Sequence, residues 1–176
     1  MFLLPQNKVL KLSILLFLFV YNGANAQRVG VSSNLVGLGL LSANLEGEIS
    51  LNHQTTLAFG ASCAPWKITD KFSLRHISIV PEYRYWFNQA MYAHYVGINA
   101  LYCAYDIDIS RKRYVGNTIG LGLGYGYSFV VEKRWNVVPG IGIGVGWNNR
   151  RSNSESMPKV SPILTRLGVS IQYLIF

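Results

Sequence analysis

Five charged side chains stand where extended chain would send them all to one side: Glu46 and Glu48, Glu82 and Arg84, and Arg166. A spacing of two puts the members of each pair on one face of a strand. Carboxylates beside guanidiniums can gate a path or relay protons. They can equally form a packed ionic network that fixes strand register, because buried charges must be paired and hydrogen-bonded. His76 and Ser78 share the same spacing of two. A serine nucleophile needs an adjacent base, and the base needs an orienting acid, which Glu82 or Glu46 could supply. A third set is basic: Lys67, Lys71, Arg111, Lys112, Arg113, Arg150, Arg151 and Lys159 fall in polar segments read as loops. Such a set attracts anionic phosphates, and the plainer reading is a solvated loop surface. His53 and His94 have no partner pattern. Cys63 and Cys103 lack metal-ligand spacing and are expected as free thiols, so neither metal nor cofactor is expected. The glycine runs never complete G-x-G-x-x-G, because the last position falls on Tyr125, Tyr127 or Val145, and no phosphate loop follows.

The elements that must position these residues are organised around 116–147. Glycine occupies every second place twice there, at Gly120, Gly122, Gly124 and Gly126, and at Gly140, Gly142, Gly144 and Gly146. Large apolar residues fill the alternate places: Leu121, Leu123, Tyr125 and Tyr127, then Ile141, Ile143, Val145 and Trp147. A period of two belongs to a strand. A transmembrane helix would lose roughly 1 kcal/mol at each internal glycine and needs about 20 apolar residues, whereas Glu132, Lys133 and Arg134 end the run early. A soluble sheet seldom leaves its outer face bare. A narrow closed barrel in lipid accounts for the pattern, with bulky residues facing acyl chains and small ones facing the lumen.

Eight strand-like segments are expected: 29–40, 44–51, 55–66, 72–87, 90–105, the two glycine runs, and 162–176. Pro81 inside the fourth suggests a bulge or a local break. Connections at 52–54, 88–89 and 132–133 are tight, while 67–71, 107–113 and 148–161 are longer and polar. The link 41–43 is short. Short turns on the periplasmic side and longer outer loops are the rule for such barrels, which makes both termini periplasmic. Rings collect at the expected strand ends. One group is Tyr85, Phe87, Tyr92, Tyr127, Phe129, Trp135, Tyr173 and Phe176. The other is Trp66, Phe72, Tyr105, Tyr114 and Trp147. Two girdles at headgroup level are expected of a membrane barrel. Strand parity sends Glu46, Glu48, Glu82, Arg84 and Arg166 into a lumen just wide enough for side chains, so a packed network is expected instead of an open pore.

Residues 1–26 read as a signal peptide. Lys8 and Lys11 precede the apolar run 12–20, and Ala24, Asn25 and Ala26 form a small-residue cleavage site. Residues 27–176 then form one barrel domain, whose cysteines enter an oxidising compartment. The 176-residue chain carries Lys+Arg 16 against Asp+Glu 8, and nucleic acid is not the expected partner of this basic excess in a membrane barrel.

Several segments resemble a family of small outer-membrane barrels typical of Bacteroidetes, catalogued as a domain of unknown function. They are Ser33, Asn34 and Leu35 with Ser42, Ala43, Asn44, Leu45 and Glu46; Ala64, Pro65 and Trp66; Pro81, Glu82, Tyr83, Arg84, Tyr85 and Trp86; Gly124, Tyr125, Gly126 and Tyr127; and Lys133, Arg134, Trp135 and Asn136. Phe176 is similar to the aromatic end that such barrels present to their assembly machinery. The resemblance implies an all-β, eight-stranded antiparallel up-and-down transmembrane β-barrel and brings no established activity. Some relatives are associated with surface fimbriae. The spacing of His76 and Ser78 is similar to the H-x-S arrangement of outer-membrane lipid A deacylases. The leading expectation is a non-enzymatic outer-membrane barrel with a structural or surface-interaction role, whose loops contact lipopolysaccharide or a surface or fimbrial protein. The alternatives are a proton or small-solute channel, a lipid A-modifying esterase, and a secreted lipocalin-like binder.

Overall fold

The computed structural model describes residues 28–69, 72–109, 112–150 and 159–175. The expected signal peptide, Lys71, Arg111, Arg151 and Phe176 lie outside them. The described chain runs β1 (Val29–Asn34), α1 (Leu35–Gly39), β2 (Ala43–Ser50), β3 (Thr55–Ala64), β4 (Lys67–Thr69), β5 (Phe72–Trp86), β6 (Ala93–Ile109), β7 (Lys112–Glu132), β8 (Trp135–Arg150) and β9 (Val160–Leu174). Every pairing is antiparallel. Neighbours in sequence pair in order, β9 returns to β1, and β3 pairs with β5, so the sheet closes on itself. The three-residue β4 pairs with the start of β5 after a break at Pro65 and Trp66, and it continues the path of β3. The closed wall therefore has eight strands in up-and-down order. No edge is left for another chain to template on, and the backbone groups of the ladders pair with each other.

Side-chain parity decides which face is which. Leu45, Phe59, Ile77, Ile98, Leu121, Leu123, Ile141, Ile143 and Leu167 are all exposed, with Leu123 at 66% and Ile143 at 64%. The inward positions hold Glu48, Glu82, Arg84, Asn99, Asn136 and Gln172, each at most 2% exposed. This is an inside-out arrangement by the standard of a water-soluble protein, in which charged residues are almost never fully buried and large apolar patches are covered. It is the arrangement of a barrel whose solvent is lipid.

Four local features differ from the sequence expectation or narrow it. The first strand ends at Asn34 instead of Leu40, because the Asn34 side-chain oxygen accepts hydrogen bonds from the amides of Val36 (2.9 Å) and Gly37 (3.4 Å) and starts one helical turn. Of the bulge or local break expected at Pro81, only the break is present, and it is confined to the β6 side, since the pairing with β3 runs through Val80 and Pro81. The ladder to β6 skips Val80 and Pro81 but resumes in unchanged register at Glu82 and Asn99, as a residue without an amide hydrogen allows. The described parts of the segments 107–113 and 148–161 are largely strand, not loop. Pairs such as Asp108 with Arg113 and Gly146 with Ser161 continue the hairpins, since polar side chains do not stop a ladder once neighbours are in register. Finally, the fifth strand begins at Ala93 instead of Ala90. The chain before it folds into the barrel mouth, with Met91 and Ala93 at positive φ (63° and 61°) and Met91 1% exposed.

Candidate functional site

Arg84 stands at the centre of the lumen. From β5 its guanidinium donates from Nη1 to Glu48 (2.6 Å), from Nη2 to Glu46 (2.7 Å) and from Nε to Glu82 (2.8 Å), so one planar fork serves three carboxylates. Arg166 on β9 donates from Nη1 to Glu46 (2.7 Å) and to Glu82 (2.9 Å). The structure thus brings together all five charged residues singled out by strand parity, from β2, β5 and β9. Spare acceptor capacity is taken up by neutral donors. Thr56 (2.5 Å) and Gln172 (2.8 Å) reach Glu48, and Asn99 reaches Glu82 (3.4 Å). Three carboxylates and two guanidiniums leave the cluster one negative charge. Each member is either nearly inaccessible or only slightly open, with Glu46 at 15% and Arg166 at 11% of side-chain surface.

β9 carries a bulge just before Arg166. Gly142 pairs with Arg166 and Ile143 with Leu164, so Thr165 is the extra residue. Thr165 and Arg166 both turn to the lumen while Leu164 and Leu167 stay outside. Sequence alternation across 162–176 gave Arg166 the right face but hid the change of phase before it.

The glycine runs gain a physical reason here. A Cβ added at Gly97 would lie 2.8 Å from Glu82 Oε1, one at Gly126 2.5 Å from the Tyr95 ring, and one at Gly142 2.7 Å from Thr165 Oγ1. At Gly124 it would meet Glu82 Oε1 closer still. Gly144 differs, because its added carbon would strike the Leu121 backbone carbonyl of the facing strand. The bare wall of β7 and β8 is the space that side chains of β5, β6 and β9 fill. By contrast, Gly47 points outward and meets nothing within 4 Å.

Below the network the lumen is plugged. The turn between β5 and β6 enters the mouth, where Ser128 Oγ (3.0 Å) and Asn136 Nδ2 (3.1 Å) donate to the Met91 carbonyl. Trp86, Ala90, Met91, Tyr95 and Val138 form an apolar cluster there. Trp86 Nε1 donates to Thr56 (2.9 Å), and Asn136 donates to Gln172 (3.1 Å). One hydrogen-bonded chain thus links the plug to Glu48 and onward to Arg84. The Arg84 guanidinium also lies 4.9 Å above the Tyr95 ring centroid. Thr56, Asn99, Asn136 and Gln172 escaped the sequence reading, although the parity that marked Glu48 marks them too. The inturned loop left no signal, since 88–89 looks like an ordinary tight connection and Ala90 and Met91 like the start of a strand.

Above the network a lumen cavity of about 170 Å³ is lined by Asn44, Glu46, Ser62, Ser78, Arg166 and Ser170 among others. At its rim His76 Nε2 lies 3.1 Å from Ser42 Oγ and 3.4 Å from Ser62 Oγ, while Ser78 Oγ lies 2.7 Å from Ser62 Oγ. The imidazole therefore meets Ser42 and Ser62, and Ser78 hydrogen-bonds to Ser62. The acids expected to orient it, Glu82 and Glu46, are engaged by Arg84 and Arg166. Among the described residues no group of His, Cys, Asp and Glu converges as a metal cage. Cys63 and Cys103 are free thiols on β3 and β6, with β5 between them.

The basic set does not form one surface of loops. Lys67 is in β4, Lys112 and Arg113 begin β7, and Arg150 ends β8, all at the end of the barrel opposite the plug. Tyr105, expected in the girdle at that end, instead faces the lumen side, where its hydroxyl would lie 3.0 Å from a Cβ at Gly116. Trp66 and Trp147 at that end, and Phe87, Tyr92, Phe129 and Trp135 at the other, are exposed.

Comparisons with known proteins agree with the resemblance drawn from the motifs. The family described as "Protein of unknown function (DUF3575)" matches residues 12–175. No curated protein matches the chain. Among solved structures, Neisserial surface protein A (NspA) is similar: it is 15% identical, with 84% of this chain and 94% of that chain covered and a TM-score of 0.46.

Proposed function

Because the chain belongs to the family of proteins of unknown function DUF3575, whose description assigns no activity, we propose a role read from the barrel itself. It is a small outer-membrane barrel with a structural or surface-interaction role and no open pore. One observation carries this reading: the lumen is filled across its whole width by Arg84 and its three carboxylates, and the inturned 87–92 segment closes it a second time below. A conducting barrel needs a continuous polar path, and an eight-stranded barrel has only enough room for its own side chains. The network serves as a register-fixing plug, and catalysis is not its work.

Both termini and the short turns face the periplasm in this reading. The opposite end carries Lys67, Lys112, Arg113 and Arg150, and these, with Lys71, Arg111 and Arg151 close to them in sequence, contact the phosphates of lipopolysaccharide or an anionic surface or fimbrial partner. Two assays test the proposal. In planar bilayers the purified protein gives no steady conductance, and discrete openings would sink the plugged reading. Replacing Arg111, Lys112 and Arg113 with Ser weakens lipopolysaccharide binding at low salt, and equal binding by both forms would refute the contact.

A further inference from the structure

The plugged end of the barrel carries a second cationic feature, distinct from the basic set at the loop end. A cavity of about 550 Å³ is lined by Arg28, Gln89, Tyr92, Lys133, Arg134 and Leu174, with Met91 and Ile175 among its remaining walls. Among the described residues it has three cations in its lining and no carboxylate. Arg28 is anchored, with Nη1 donating to the Ala90 carbonyl (3.3 Å) and its backbone amide to Ser50 Oγ (2.6 Å). Lys133 and Arg134 form the exposed two-residue turn between β7 and β8. Arg134 Nη1 donates to the Tyr173 hydroxyl (3.2 Å), and its guanidinium, like any arginine's, stays charged at all ordinary pH.

The depth of this cavity decides which anion it meets. Phe87, Tyr92, Phe129 and Trp135 are exposed at the same end of the wall. Tyr92 is itself a wall of the cavity, and Trp135 packs against Tyr173 with ring centroids 5.0 Å apart and planes inclined at 60°. Exposed rings at strand ends mark the level of the headgroups. The cations therefore lie where lipid phosphates lie, with the apolar walls of Val130, Leu174 and Ile175 beside them to meet the start of an acyl chain.

We infer that this cavity is a binding site for the phosphodiester headgroup of an anionic phospholipid in the leaflet facing the plugged end. The inference rests on the membrane reading proposed above. The oxygens of the phosphodiester are acceptors for the Arg28, Lys133 and Arg134 donors, and a zwitterionic headgroup would bring its own cation into competition with them.

The test uses the whole barrel in nanodiscs of phosphatidylcholine containing a minor fraction of phosphatidylglycerol, with retained lipid counted by native mass spectrometry. The wild-type barrel retains phosphatidylglycerol over phosphatidylcholine. K133Q/R134Q loses that preference by about 25-fold, at roughly fivefold per cation removed, while keeping the gel shift of a folded barrel. E132Q, which removes the neighbouring carboxylate of the same hairpin, strengthens retention. Free glycerol phosphate at millimolar concentration does not displace the lipid, and displacement would assign the site to a soluble phosphate and overturn the lipid inference. Equal retention by wild type and K133Q/R134Q, or no preference in the wild type, would also overturn it while leaving the membrane barrel intact. Failure of the wild type to enter nanodiscs at all would overturn the membrane reading beneath it.

Discussion

Removal of the Arg84 guanidinium tests the lumen network most sharply. Arg84 is 1% exposed and donates to Glu46, Glu48 and Glu82 at 2.6–2.8 Å. In R84M the volume is nearly kept but the charges are not. Glu46 and Glu82 retain Arg166, whereas Glu48 keeps only Thr56 and Gln172, two neutral donors. The cluster goes from one excess negative charge to two, with Glu48 the stranded member. Breaking a buried pair from one side costs about 3–5 kcal/mol, because an uncompensated charge remains. At roughly 2–4 °C per kcal/mol for a domain of this size, the midpoint falls by about 6–20 °C. The assay is loss of the compact band on unboiled gels after heating in detergent, which reads barrel unfolding directly. R84M/E48Q removes the stranded charge as well and recovers at least half of the loss. An R84M midpoint within about 2 °C of wild type, or no recovery in the double variant, would refute the claim that these groups interact as a buried network.

Other substitutions probe separate parts of the structure. G144A drives a methyl into the Leu121 backbone and abolishes folding, whereas the outward-facing G47A leaves the gel shift unchanged; equal behaviour would contradict the register. G124A pushes against the Glu82 carboxylate, and its loss of thermal midpoint shrinks when combined with E82Q, a coupling that independent sites would not produce. N34A removes the cap of α1 and weakens the local turn by about 0.5–2 kcal/mol. It therefore speeds protease cleavage within 35–41 without lowering the global midpoint, and a lowered midpoint would mean that α1 is integral to the barrel.

How much of this was legible in the sequence follows from which forces act at which range. Alternation is imposed by the strand itself, so Leu121, Leu123, Ile141 and Ile143 declared the outer face, and Glu48 and Arg84 the inner one. The closed barrel followed from the need to pair every backbone group in lipid. What stayed hidden depended on single side chains or on distant partners. Asn34 turns an apolar run of strand-like composition into a helical turn by capping two amides. Met91 enters the barrel because Ser128 and Asn136, far along the chain, hold its carbonyl. The bulge at Thr165 is invisible because Leu164 and Leu167 each fit an alternating pattern on their own side of it. The neighbours of His76 stayed hidden for a similar reason. Ser78 is its neighbour in sequence, but Ser42 and Ser62 are brought to it by β2 and β3 across the closed sheet.

The most direct measurement concerns the environment of the outward side chains. With Cys63 and Cys103 replaced by Ser, nitroxide labels are attached singly at positions 98, 123 and 143 of barrels in lipid vesicles, where Ile98, Leu123 and Ile143 are each more than 60% exposed. Power-saturation spectroscopy then compares collision with dissolved oxygen, which concentrates in acyl chains, and with a water-soluble nickel chelate. The account predicts high oxygen and low chelate collision at all three positions. Low collision with both reagents would place these residues in a protein interior and contradict the inside-out barrel.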